Sequence, residues 1–181
     1  MTEEEEIVAE LAAKFPMLKN KIQRRRSIYV ETPADKFAEV FAHLFGPMRF
    51  TMLTAITGLD SGANLEVMYH LARLSGIVLN LSVAVPKTRP VLYTVTGYFP
   101  AADCYERELV DMLGMVIEGL PEGFRYPLPD GWPEGQYPLR KDWKPEMLEP
   151  ATVLAPAPAG AAPAASPVPN PPPAKETKHV G

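Results

Sequence analysis

The chain has 181 residues, enough for one domain and a tail, and its 46% hydrophobic and 22% charged residues suit a soluble globular protein. A net charge of −4 gives no electrostatic argument for nucleic acid or an anionic membrane surface. The single cysteine, Cys104, excludes an internal disulfide and the thiolate sets of iron–sulfur clusters or structural zinc, and it fits a reducing cytosolic compartment.

From the N-terminus, Thr2 and Glu5 have the form of a capping box, and the acids Glu3 to Glu6 suit the positive end of a helix. Ile7, Val8, Leu11 and Phe15 then form a helical stripe that stops at Pro16. Lys19 to Arg26 carries five basic residues in eight. With no interleaved aromatics to stack on bases, this run reads as a solvated entry to a strand at Ile28–Glu31, not as a nucleic-acid patch. Thr32 as N-cap and Pro33 in the first turn open a second helix. Its buried face is Phe37, Val40, Phe41, Leu44 and Phe45, and Gly46-Pro47 ends it.

Three strands follow. Phe50–Thr57 is apolar almost throughout, which predicts cover on both faces. Leu65, Val67, Tyr69 and Leu71 alternate with more polar neighbours, as do Ile77, Leu79, Leu81, Val83 and Val85. Ser75-Gly76 and the loop Gly58–Gly62 supply the reversals of an antiparallel meander with helices packed on one face. Val91, Tyr93 and Val95 alternate again. Pro100 opens a third helix with Tyr105, Leu109, Met112 and Leu113 along one side.

No segment approaches the ~20 apolar residues of a spanning helix, and the acidic start is the opposite of a signal peptide's basic one. The chain is therefore expected to reach a membrane only through partners. From Ala151 to Pro173 no residue is charged and alanine and proline dominate, so Pro150–Gly181 reads as a disordered, partly polyproline tail.

The third helix concentrates charge. Glu106, Glu108 and Asp111 lie within six residues, with Arg107 placed to pair with Asp111 at i, i+4. Helical geometry points Glu108 about 160° away from Glu106, so the carboxylates do not converge, and no Glu-x-x-His pair offers a di-metal centre. Cys104 would have its thiolate destabilised by the acids. His70 reads as a structural residue, Ser61 and Ser75 lack a nucleophile-elbow context, and Gly58 and Gly62 lack the lysine of a phosphate loop. Nothing assembles an active site.

Beyond this helix the chain is rich in proline and glycine, with Tyr126, Trp132, Tyr137 and Trp143 as aromatic anchors and PLRKDW at its end. Extended arms of this kind commonly lie along a partner. Composition favours that over their folding back on this domain's own sheet.

At these residues the chain resembles the thirty-kilodalton subunit family of respiratory complex I, which includes subunits of membrane-bound nickel–iron hydrogenases. The matching residues are Glu106-Arg107-Glu108, Asp111, Met112-Leu113-Gly114, and downstream Pro138-Leu139-Arg140-Lys141-Asp142, with Tyr98-Phe99-Pro100-Ala101-Ala102 before the helix. The likeness covers about Lys19 to Lys144. Gly119-Leu120-Pro121 and Gln136-Tyr137-Pro138 depart from the family's usual Gly-His-Pro forms, and PLPDGWPEGQYPLRKDW looks more like the energy-converting (Ech-type) hydrogenase branch.

The resemblance implies an α/β (α+β) fold, an antiparallel or mixed sheet with helices packed on it, then an extended arm and a disordered tail. The expected division is an N-terminal helix over 1–18, the α/β domain over 19–115, a partner-binding arm over 116–149 and the tail over 150–181. In this family Val91–Phe99 is irregular or briefly helical, against the alternation above. The implied function is that of a cofactor-free peripheral subunit on the cytoplasmic face of the membrane. It would brace a large catalytic subunit and an iron–sulfur small subunit, whose nickel–iron centre and iron–sulfur clusters lie outside this chain.

The expected partner-binding residues are Glu106, Arg107, Glu108, Asp111, Trp132, Pro138, Leu139, Arg140, Lys141, Asp142 and Trp143. Arg140 is the expected bidentate contact, removable without loss of the isolated fold. The rival readings are an NADH:quinone or F420-linked dehydrogenase subunit, a stand-alone carboxylate-dependent metal hydrolase using Glu106, Glu108 and Asp111, and an adaptor that presents the Ala/Pro tail.

Overall fold

The computed structural model describes residues 2–148; the tail expected over 150–181 lies outside them. Helix α1 (Glu3–Lys14) starts with the expected capping box: Thr2 N–H donates to Glu5 Oε2 at 2.8 Å and Glu5 N–H to Thr2 Oγ1 at 3.3 Å. Its Ile7 and Leu11, with Phe15 beyond, are buried in the same apolar core as the sheet. The basic run is itself a strand, β1 (Lys19–Arg24), paired antiparallel with β2 (Ser27–Thr32).

Thr32 does not cap the next helix. It ends β2, and its hydroxyl donates to the Pro33 carbonyl at 3.2 Å. A 3-10 turn, Ala34–Lys36, comes first, and α2 (Phe37–Phe45) follows with Phe37, Val40, Phe41 and Leu44 buried. Pro33 is itself extended (φ −61°, ψ 147°), so the helical turn starts at Ala34, one residue later than an N-cap at Thr32 would place it.

Strands β3 (Met52–Asp60), β4 (Asn64–Ala72) and β5 (Val78–Pro86) form the expected meander. Strand β5 also lies parallel to β2, so the sheet is mixed, in the order β1-β2-β5-β4-β3. Across one face Val67 faces Val83, Tyr69 faces Leu81 and Leu71 faces Leu79, all fully buried. Phe37 and Phe41 pack on Tyr69 with ring centroids 4.9 and 5.5 Å away. Burying Tyr69 removes its hydroxyl from water and raises its pKa.

Strand β3 is not covered on both faces. It is the sheet edge, with Met52 and Leu59 exposed, and Phe50 is buried ahead of it. After β5, β6 (Val91–Tyr93) leads to α3 (Ala102–Leu113), and β7 (Val116–Glu118) returns to pair parallel with β6. The alternation at Val91–Tyr93 is thus a strand, and Thr94–Phe99 is irregular or turn-like.

Helix α3 lies on β3 through one close approach. A Cβ on Gly58 would sit 2.3 Å from Leu113 Cδ1 and 2.5 Å from Leu109 Cδ2, so only glycine lets the helix come this near. Gly58→Ala is therefore expected to lower stability by about 1–3 kcal/mol through overpacking. Urea unfolding would show it as a lower midpoint at unchanged slope; an unchanged midpoint would mean that α3 is free to shift away from β3.

Candidate functional site

The last turn of α3 is where the charged helix and the arm meet. Gly114 takes the left-handed conformation (φ 67°, ψ 37°) that lets the chain turn out of the helix. The carbonyls of the last turn have no partner inside the helix. The arm supplies them: Leu139 N–H donates to Met112 O at 3.0 Å, and Arg140 Nε and Nη2 donate to Leu113 O at 2.7 Å and Gly114 O at 3.3 Å. Arg140 thus places a cation on the negative end of the helix dipole, and its guanidinium lies 4.5 Å from the Tyr137 ring centroid. The Tyr137 ring covers Gly114 so closely that a Cβ there would fall 2.4 Å from it.

A buried ion pair fixes the next two residues. Asp60, at the end of β3, is 2% exposed and accepts from Lys87 Nζ at 2.7 Å, from the Lys141 backbone N–H at 2.9 Å and from Gly62 N–H at 2.7 Å. Lys87 also reaches Asp142 at 2.7 Å, joining β3, the segment after β5 and the arm. The Lys87 hydrogen bond, helped by the two backbone N–H groups, holds the Asp60 carboxyl down at about 2 despite its burial.

The acids of α3 turn in three directions. Glu106 is fully buried and accepts from the Thr94 hydroxyl and, at 2.7 Å, from Val95 N–H, tying α3 to the segment after β6. Burial pushes its carboxyl above the ordinary range, although both donors pull the other way. Asp111 accepts from Arg125 Nε at 3.0 Å and Leu128 N–H at 3.2 Å. The expected Arg107–Asp111 pair does not form. Arg107 turns back one helical turn to Asp103, with two contacts of 2.9 Å, and reaches the carbonyls of Pro121 and Phe124. Asp111 is left for Arg125, which also holds Trp132 O at 2.7 Å.

Gln136 joins the two tryptophans. Trp132 Nε1–H donates to its carbonyl at 2.8 Å, Trp143 Nε1–H to its side-chain oxygen at 2.9 Å, and the rings lie 6.1 Å apart. The arm therefore folds back, onto the end of α3 and the end of β3. Of the residues read as partner contacts, Glu106, Arg107, Asp111, Arg140 and Asp142 all make hydrogen bonds or ion pairs within the chain. The Glu108 side chain has neither among the described residues, and with Met112, Leu139 and Thr57 it lines a groove of about 180 Å³ along the edge of β3.

Leu139 and Lys141 are exposed, and Trp132, Pro138 and Trp143 are half-buried. Sequence reasoning missed Asp60, Lys87, Thr94, Asp103, Arg125 and Gln136. Only Asp103, at i−4 from Arg107, and the Asp60-Ser61-Gly62 turn carried a local signal.

Both tryptophans lie in the arm, so their fluorescence reports its docking while far-ultraviolet dichroism reports the helices and sheet. Arg140→Ala removes two charge-assisted hydrogen bonds at about 1.5 kcal/mol each. The fluorescence transition should then move to lower urea, ahead of the dichroism transition; coincident, unshifted transitions would show that Arg140 does not hold the arm. Asp60 also has a pH signature. Its carboxyl is depressed in the fold, so its stabilisation is complete above the unfolded value of about 3.9 and is lost as pH falls through about 2. The stability gap between the parent and Asp60→Asn should shrink steadily between about pH 5 and pH 2, and a gap independent of pH would contradict the assignment.

The sequence model of a family described as the respiratory-chain NADH dehydrogenase 30 Kd subunit matches residues 30–147, which include all of α3 and the arm through Trp143. A subunit of the F(420)H(2) dehydrogenase of Methanosarcina mazei is 32% identical over 143 residues, covering 76% of this chain and 90% of that one. The beta subunit of the membrane-bound hydrogenase of Pyrococcus furiosus is 45% identical over 69 residues, 38% of this chain and 40% of that one. A subunit of the NADH-quinone oxidoreductase of Acidothermus cellulolyticus is 36% identical over 101 residues, 53% of this chain and 52% of that one. The chain thus spans about half or less of the last two relatives.

Among solved structures, a chain of the membrane-bound sulfane sulfur reductase (MBS), an archaeal respiratory membrane complex, superposes with a TM-score of 0.71 at 30% identity, over 81% of this chain and 88% of that one. A trypsin-resistant fragment of Nqo5 gives 0.58 at 30% identity, over 66% and 98%. The chain belongs to the family of the 30 Kd subunit of respiratory-chain NADH dehydrogenase.

Proposed function

We propose that the chain is a cofactor-free peripheral subunit of a membrane-bound, complex-I-like redox complex, of the energy-converting nickel–iron hydrogenase kind. It braces the large catalytic subunit and the iron–sulfur small subunit from the cytoplasmic face. The nickel–iron centre and iron–sulfur clusters belong to those partners. The observation that carries the reading is the division of charge around α3. Glu106 ties α3 to the segment after β6, and Arg107, Asp111 and Arg140 fasten the arm to α3. Glu108, alone of the motif's acids and arginines, lines a surface groove without a side-chain partner among the described residues.

The exposed Leu139 lines that groove with Glu108, and the half-buried Trp132, Pro138 and Trp143 add aromatic and apolar surface on the arm, the content of an interface core. The hydrogenase branch is supported by the hydrogenase beta subunit, and membership of a respiratory membrane complex by the chain of the sulfane sulfur reductase. A second reading, an F420-linked dehydrogenase subunit, draws on the F(420)H(2) dehydrogenase relative, which aligns over most of both chains. The carboxylate hydrolase finds no support, because Glu106, Glu108 and Asp111 face three separate environments. No helix of the described residues is long and apolar enough to cross a membrane, so attachment through partners fits.

Affinity purification from detergent-solubilised native membranes, with mass spectrometry of the co-purifying chains, tests this directly. Recovery of a nickel–iron large subunit and an iron–sulfur small subunit is expected, and F420-oxidising subunits in their place would favour the second reading. Recovery of the chain alone would contradict both. Glu108→Lys should cut that recovery about tenfold, as reversal of an interfacial charge does, without moving the protein's own melting temperature; full recovery would remove Glu108 from the interface.

A further inference from the structure

The face of the sheet opposite the helices carries a built polar surface that the arm does not use. A continuous hydrogen-bonded chain crosses all five strands there. Thr57 on β3 meets His70 Nε2 on β4 at 3.1 Å, and His70 Nδ1 meets Asn80 Oδ1 on β5 at 2.7 Å. Asn80 Nδ2 donates to Ile28 O on β2 and to Gln23 Oε1 on β1, both at 3.3 Å, and the Ser27 hydroxyl on β2 donates to the same Gln23 oxygen. The Ile28 carbonyl fixes the Asn80 amide, so Asn80 Oδ1 can only accept. His70 Nδ1 therefore carries the proton, and Nε2 accepts from Thr57. The side-chain oxygens of Gln23 and Asn80 and both ring nitrogens of His70 each have a partner.

The rim differs. An open groove of about 690 Å³ above this floor is bordered by Arg24, Arg25 and Arg26. All three are exposed, and none of their guanidinium groups has a hydrogen bond or ion pair among the described residues. Arg24 ends β1, and the turn that holds Arg25 and Arg26 is fixed: Arg26 has φ 61°, and its backbone N–H donates to the Glu4 carboxylate at 2.7 Å. Glu4 thus gives its hydrogen bond to a backbone N–H and acts on Arg25 only through space, so the three guanidinium groups keep their donors free among the described residues.

We infer that this groove, with Arg24, Arg25 and Arg26 above the Gln23–Asn80–His70 floor, binds an extended acidic segment of another polypeptide. Planar guanidinium groups grip carboxylates in pairs of parallel hydrogen bonds. A floor whose acceptors are already engaged adds shape without demanding donors of its own. A nucleic acid fits less well. The three arginines border one side of the groove only, too few to follow a long phosphate backbone. The inference rests on the sheet face alone and does not depend on the role of the arm.

Titrating a hexaglutamate peptide into the ¹⁵N-labelled full chain tests it. Shifts are expected at residues 24–27, at Gly76 and at the Asn80 side-chain amide, and the arm's tryptophan indole signals should stay still. Arg24→Gln with Arg25→Gln, at the exposed end of β1 and in the turn after it, should weaken binding about fivefold, as loss of two surface charge pairs does, with the melting temperature unchanged. Three results would overturn the inference: no shifts at millimolar peptide, equal binding by the double variant, or tighter binding of a six-base oligothymidylate at the same residues.

Discussion

The structure turns on the C-terminal end of α3. A helix that stops in the interior of a fold leaves carbonyls without partners, and burying them unpaired costs about 1–3 kcal/mol each. This chain meets them with a segment some 26 residues further on, through Leu139 N–H and the Arg140 guanidinium. Gly114 makes the meeting sterically possible, because the Tyr137 ring occupies the space a side chain would need. A proline- and glycine-rich arm with almost no regular structure thereby gains a fixed place on the domain.

Charge then separates into two roles. Asp60, Glu106 and Asp111 are buried and each collects donors from a different part of the chain, so they act as fasteners between β3, the segment after β6, α3 and the arm. Lys87 completes the clamp by spanning Asp60 and Asp142. Glu108 and the guanidinium groups at the β1–β2 turn remain directed outward, on separate parts of the surface. A subunit whose interior charges fix its own shape presents a preorganised surface, and preorganisation lowers the entropic cost of assembly.

Local features were legible in the sequence. The Thr2–Glu5 capping box and the alternation in β4 and β5 are set within a few residues and appear as read. What escaped depends on distant partners. Lys19–Arg24 has no hydrophobic alternation, yet it is a strand because β2 supplies its hydrogen bonds. The apolar run into β3 suggested cover on both faces, but Met52 and Leu59 lie on an open edge. Arg107 has an acid one turn away on either side, Asp103 and Asp111, and sequence spacing cannot choose between them. Arg125 decides by claiming Asp111. The family motif marked two segments that meet in the fold, whereas the partners within it, and the Asp60–Lys87 pair 27 residues apart, required the fold.

The most direct test of the clamped arm is amide hydrogen exchange of the isolated chain, read at Leu139 and Lys141. Their N–H groups donate to Met112 O and to the Asp60 carboxylate, so both should be protected well above the unstructured rate even with no partner present. Exchange of both at the rate of an unstructured peptide would mean that the arm is free until a partner orders it, and would contradict the account.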